Sequence, residues 1–182
     1  MTIQIQEAAL AAVVIPEIVA RSADRQHVET YRHDLSTLPF PFNTATLWVA
    51  CSEAWPHNDP DFEGVMFISV VIQGCHRYGQ LAEGNVVEYI DVRPGSIFLT
   101  NPLALHWLQP KDPEIGFVAL QWEVPHHEYP QRLRDLVEQI SRGTDSQVIQ
   151  GQSEPALVVV DPEGYIGDPP GFPSLFVAST KV

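Results

Sequence analysis

The sequence predicts one mainly β domain, a sandwich or barrel with one packed helix. Short β-prone segments follow one another at close spacing between positions 44 and 122, and Gly, Pro and Asn residues punctuate them. Helical periodicity is confined to one later stretch. A chain of 182 residues holds one domain with a sizeable core and is short for two.

Residues 1–43 read as an N-terminal extension. An Ala-rich segment from residue 7 predicts a short helix up to Ile15, where Pro16 ends or kinks it, and a polar stretch runs from Arg21 to Ser36. The Pro-Phe run at 39–42 stiffens the entry to the barrel, residues 44–182, whose first β-prone segment, Thr44 to Cys51, carries Leu47, Trp48 and Val49. Val65 to Ile72 is a nearly continuous apolar run and predicts a buried strand. Gly74 and the Gly84-Asn85 pair punctuate, and Val86 to Val92 is again β-prone. Pro94-Gly95 predicts a tight turn into Ser96–Thr100, and Asn101-Pro102 another into Ala104–Gln109, with Ile115–Trp122 last. Leu133, Leu136, Val137 and Ile140 then fall at helical spacing within 130–142, with Pro130 suited to the first turn and Gly143 to the stop. In the tail, the apolar run Ala156 to Val160 precedes a Pro/Gly-rich stretch from Pro162 to Pro173 and then Leu175 to Val177, and predicts an edge strand or a covering flap.

Composition narrows the function classes. Hydrophobic residues make up 45% and charged residues 18%, values at which a chain buries a core. The formal charge of −13 repels phosphate backbones and anionic membranes, so general nucleic-acid binding is not expected. Two cysteines, Cys51 and Cys75, are too few for a disulfide framework or a thiolate zinc cage, which suits a reducing, cytoplasmic setting; both read as small buried hydrophobes. The apolar stretch from Ala8 to Ile15 is shorter than a membrane span and lacks the preceding positive charge of a signal peptide. Edge strands or the amphipathic helix offer surfaces on which two copies could form a homodimer.

Chemistry concentrates around Trp55 to Pro60. In extended backbone, residues i and i+2 share a face, so His57 and Asp59 can offer an imidazole nitrogen and a carboxylate oxygen to one metal ion. His106 would add a third ligand from a later strand, where Leu105 and Trp107 face out against the helix and the imidazole faces in. Two histidines and one carboxylate on one face of an octahedron leave three positions open. The competing structural reading is a polar turn at Asp59-Pro60-Asp61 and a core histidine at 106 bonded to a carbonyl. Trp55 adjoins the site and is the tryptophan placed to line a substrate pocket; His76 adjoins the Gly74 turn, and His126 and His127 read as surface residues.

The order of these pieces resembles the Fe(II)/2-oxoglutarate-dependent oxygenase superfamily. The resemblance spans roughly residues 44–124 and rests on the His57-x-Asp59 pair, the Val92 to Leu99 stretch and His106. It implies a double-stranded β-helix of the jelly-roll or cupin-like kind, Fe(II) on His57, Asp59 and His106, and 2-oxoglutarate as cosubstrate for hydroxylating an unidentified small molecule or protein side chain. The spacing from Asp59 to His106 is compact for the family, and Ile115 to Val118 stand where many members carry an arginine for the cosubstrate carboxylate. Arg77, with Tyr78 as hydroxyl donor, matches a second arrangement in which the clamp follows the His-x-Asp pair, and Lys111 is the fallback. Two alternatives stand beside this one: a cupin-like metalloenzyme without 2-oxoglutarate, although the usual cupin His-x-His pair is absent, and an inactive barrel that binds a partner through its N-terminal extension and Pro-rich tail.

Overall fold

The computed structural model describes residues 3–82, 86–142 and the backbone of 154–157. The chain is mainly β, with two antiparallel sheets and two α-helices. The strands are β1 (Ile3–Gln4), β2 (Glu29–Tyr31), β3 (Leu47–Cys51), β4 (Ala54–His57), β5 (Val65–Gln73), β6 (His76–Ala82), β7 (Val86–Val92), β8 (Ser96–Thr100), β9 (His106–Pro110), β10 (Phe117–Pro125) and β11 (Glu154–Leu157). One sheet runs β1-β8-β5-β10-β3-β2 and the other β11-β7-β6-β9-β4.

Side-chain alternation sorts the apolar residues into layers. On β3, Trp48 and Ala50 join the outer core while Cys51 faces the inter-sheet space; on β10, Val118 and Leu120 face out while Phe117 and Ala119 face in. The outer face of the six-stranded sheet is covered by the N-terminal segment and by α2 (Tyr129–Ser141). Leu133, Leu136, Val137 and Ile140 all pack there, as their spacing predicts, and Pro130 occupies the first turn. The inter-sheet core unites Val71, Phe98 and Ala119 of one sheet with Tyr78, Ile90 and Leu108 of the other.

Several expectations need correction. Pro16 does not end a helix; it caps the start of α1 (Glu17–Ser22), with φ −61° and no amide hydrogen to satisfy, and only a 3-10 turn, Glu7–Leu10, precedes it. Residues 1–43 supply more than an extension: β1 pairs with β8, β2 pairs with β3, and Ile5 and Val19 are core residues. The segment after Gly74 holds a whole strand, β6, that pairs with β7 and β9. Cys51 is buried, but Cys75 is exposed at the β5–β6 turn.

Trp107 faces away from the inter-sheet space, as alternation around His106 requires, yet it packs with Val87, Leu81 and Tyr89 and not against the helix. Gly79 stands opposite it in register, and a β-carbon there would lie 2.2 Å from the indole ring. The glycine thus leaves room for a tryptophan that is only 1% exposed. Gly95, at φ +85°, makes the predicted turn after Pro94, and its carbonyl accepts the Ile5 N–H (2.9 Å). The apolar run in the tail begins within β11, an edge strand on β7; Gly84, Asn85, Gly143 and residues 158–182, with the Pro/Gly-rich stretch and Leu175 to Val177, lie outside the described residues. Among the described residues no helix is long and apolar enough to cross a membrane.

Candidate metal centre

Strand pairing sets the site. β4 runs antiparallel to β9 with His57 directly opposite His106, after an irregularity that follows Ala54. The two imidazole centroids are 4.4 Å apart. Asp59 lies two residues beyond β4, at the start of a 3-10 segment at Pro60–Phe62, with φ −116° and ψ 80°. Its backbone N–H donates to the Pro102 carbonyl (2.7 Å), tying this turn to the one that leads into β9. One ligand atom from each of His57, Asp59 and His106 lies within 4.8 Å of the others.

The hydrogen bonds decide which nitrogens face inward. His57 Nδ1 lies 2.5 Å from the Trp55 carbonyl and His106 Nδ1 lies 2.9 Å from the Ala104 carbonyl. A carbonyl only accepts, so each Nδ1 carries a proton, and in the neutral ring the lone pair lies on Nε2. His106 Nε2 then faces Asp59 Oδ2 at 3.5 Å with no proton between them. Around an ion with ligands at about 2.1 Å, neighbouring ligand atoms stand about 3.0–3.4 Å apart, close to this separation. Burial, then the neighbouring His57 ring, push the His106 pKa down to about 4, and the Ala104 carbonyl and Asp59 oppose them without reversing the shift. The ring is therefore neutral near pH 7. Three lone-pair donors converging without a hydrogen-bond donor fit a cation, and the Nδ1–H to carbonyl bonds are the usual way of orienting histidine ligands.

These side chains sit in the wall of an open cavity of about 1050 Å³ between the sheets, at the upper end of the roughly 300–1,000 Å³ of small-molecule sites. Trp55 and His57 on β4 form one lip, and Thr30, Tyr31 and Arg32 form another. Farther in, Phe67, Phe98 and Phe117 make the wall aromatic. Cys51 also lines it, but burial, then Glu53, push its thiol pKa up to about 12, so it stays protonated and outside the three-residue cluster.

No protein-family model, curated protein or solved structure matches the chain.

Alternation along β6 divides the predicted clamp residues. Tyr78 lines the cavity; its hydroxyl donates to Gln80 Oε1 (2.9 Å), and burial raises its pKa, so it remains a neutral phenol. Arg77, one residue earlier, points the opposite way. Its Nε donates to Asp91 Oδ1 (3.0 Å), its guanidinium lies 5.8 Å from the Tyr89 ring centroid, and its side chain is 41% exposed. Lys111 reaches the same carboxylate (2.6 Å). Neither Arg77, the expected cosubstrate clamp, nor Lys111 is among the residues that line the cavity. His76 is buried, with Nε2–H donating to the Ser52 carbonyl (2.9 Å), while His126 and His127 lie on the surface.

Three features escaped the sequence. Arg32 is the one Lys or Arg among the described residues that line the cavity, at its lip and 3.8 Å from Glu123. Gln80 stands opposite His106 on β6, and its Oε1 accepts both the Tyr78 hydroxyl and the Asn101 N–H (2.8 Å). It thereby holds the 101–105 turn, whose Pro102 and Ala104 carbonyls hold Asp59 and orient His106. Ser69 and Gln121 form a polar couple in the aromatic wall. Only strand pairing brings each of these to the site, so no local pattern marks them.

Proposed function

We propose that this chain is a mononuclear non-haem iron enzyme of the oxygenase class, built on a double-stranded β-helix. The observation that carries the proposal is the convergence of the His57 and His106 Nε2 lone pairs with the Asp59 carboxylate in the wall of an apolar cavity. The strand orders support the fold reading: β8-β5-β10-β3 faces β7-β6-β9-β4, the interleaving of an eight-stranded jelly roll, with β1, β2 and β11 added at the edges.

When bound, ferrous iron would supply dioxygen chemistry at the positions that two imidazoles and one carboxylate leave open. The chain's own work is to orient and to exclude water. The Trp55 and Ala104 carbonyls fix both imidazole rings, the Pro102 carbonyl fixes the Asp59 turn, and Tyr78 and Phe98 present an apolar wall beside His106. Because Arg77 and Lys111 are bound to Asp91 outside the cavity, we favour an enzyme that takes its organic substrate directly. Arg32, in the cavity lip, favours a second reading in which 2-oxoglutarate binds with a carboxylate toward that guanidinium.

Anaerobic titration with Fe(II), then with 2-oxoglutarate, tests both readings. Stoichiometric iron without a visible charge-transfer band on adding 2-oxoglutarate supports the favoured one. A band that survives Arg77→Ala and is lost in Arg32→Ala supports the second. A wild-type chain that binds no iron overturns the metalloenzyme proposal.

A further inference from the structure

The inter-sheet face of the six-stranded sheet carries a row of side chains in register: Phe98 on β8, Ser69 on β5, Gln121 on β10 and Leu47 on β3. All four line the cavity. Its outer members are apolar, and its middle pair is not. Ser69 is only 4% exposed, and burying a hydroxyl in such a wall is unfavourable unless it is hydrogen-bonded. Its one bond here, from Oγ to Gln121 Oε1, measures 3.5 Å, well beyond the roughly 2.7–2.8 Å of a normal O–H···O bond. With Oε1 turned toward the serine, the Gln121 amide NH2 has no partner among the described residues.

Packing alone does not call for this couple, since an aliphatic pair would fill the same wall without a desolvated hydroxyl. A few placed polar groups in an otherwise apolar pocket are what fixes the orientation of a small organic ligand. On the strength of the metal-site reading above, we infer that Ser69 and Gln121 recognise the substrate, and that the substrate is a neutral, ring-sized apolar molecule carrying one carbonyl or similar acceptor. The Gln121 amide supplies two N–H donors to that acceptor. The rings of Phe98 and Phe67 take the apolar body. A carboxylate is disfavoured at this depth: Arg32, the one Lys or Arg among the lining residues, sits at the lip beside Glu123, so a buried anion would lack a counter-charge.

Displacement of the neutral fluorescent probe N-phenyl-1-naphthylamine from the full chain in chelator tests this without metal. Naphthalene, 2-naphthamide and 2-naphthoate share one ring system and differ only in the polar group. The expected result is that naphthamide displaces the probe at about a tenth of the naphthalene concentration, with naphthoate weakest. That preference should shrink below about threefold in Gln121→Leu and in Gln121→Glu, the second of which keeps the shape and removes the donors. Equal displacement by naphthalene and naphthamide, a preference for naphthoate, or failure of the probe to bind each overturns the inference. His106→Ala should keep the amide preference in chelator and, titrated with Fe(II) in the absence of chelator, should lose metal binding, so the substrate inference and the metal reading fail separately.

Discussion

His57 and His106 face each other across the β4–β9 ladder with ring centroids 4.4 Å apart, and each has its Nδ1 turned to a backbone carbonyl. That arrangement leaves both Nε2 atoms available to an ion. Cys51 lines the same cavity but stands outside the cluster as a protonated thiol. Co(II) added to the chain should give weak d–d bands of a nitrogen and oxygen site, without the intense near-ultraviolet band of a cobalt–thiolate bond. A thiolate band that disappears in Cys51→Ser would show that the ligand set has been misassigned.

Gln80 acts on the site through the turn that it holds and through the Tyr78 hydroxyl. Replacing it with Leu leaves the buried Tyr78 hydroxyl and the Asn101 N–H without their acceptor, a cost of roughly 1–3 kcal/mol. The loosened turn should also lower metal affinity by about 10- to 100-fold, the usual penalty for losing an outer-shell partner. Gln80→Glu keeps the accepting oxygen and should recover most of that affinity by calorimetric titration. If Gln80→Leu lowers the melting temperature and leaves metal affinity intact, the side chain is structural and does not position the ligands.

Gly79 and Trp107 are sterically exclusive of a larger pair. Gly79→Ala should cost about 1–3 kcal/mol, because a β-carbon 2.2 Å from the indole forces the ring or the strand to move. In a Trp107→Leu background the same substitution should cost little, so the denaturation cycle should show coupling. Additive effects would mean that the ring yields without strain.

Acid should destabilise the metal-free chain through its buried histidines. Burial lowers the His76 pKa against the opposing Ser52 carbonyl, and burial and His57 bring His106 to about 4 from an ordinary 6.5. Both folded values lie below the unfolded one, so the unfolded chain binds more protons as the solution is acidified. The contribution is complete above about pH 6.5, falls as pH drops beneath it, and levels off once the folded rings protonate. Urea unfolding in chelator should show this decline, and His76→Gln should make it shallower. An unchanged pH dependence in that variant would exclude His76 as a source.

Local patterning made much of the fold legible. Alternation and turn chemistry delimit β7 and β8 residue for residue, the apolar run at 65–72 falls within β5, and four residues at helical spacing mark the buried face of α2. Long-range pairing was not legible. β1 and β2 are two and three residues long and exist because β8 and β3 offer them edges. Nor was the facing of Arg77: on β6 a single step reverses the face, and the inward places went to His76, Tyr78 and Gln80. His57, Asp59 and His106 could be singled out by residue type and by the strands around them. That Asp59 is tied to the Pro102 carbonyl, and that Gln80 secures the turn opposite, depended on contacts between distant segments.

Calorimetric titration of Fe(II) under anaerobic conditions into the wild type and into His57→Ala, Asp59→Ala and His106→Ala tests the central claim most directly. One ion per chain in the wild type, with affinity reduced by at least about 100-fold in each variant while the far-ultraviolet circular dichroism is retained, is the predicted result. Wild-type binding that persists unchanged in folded His106→Ala would contradict it, because no ion held at this site could be indifferent to that imidazole.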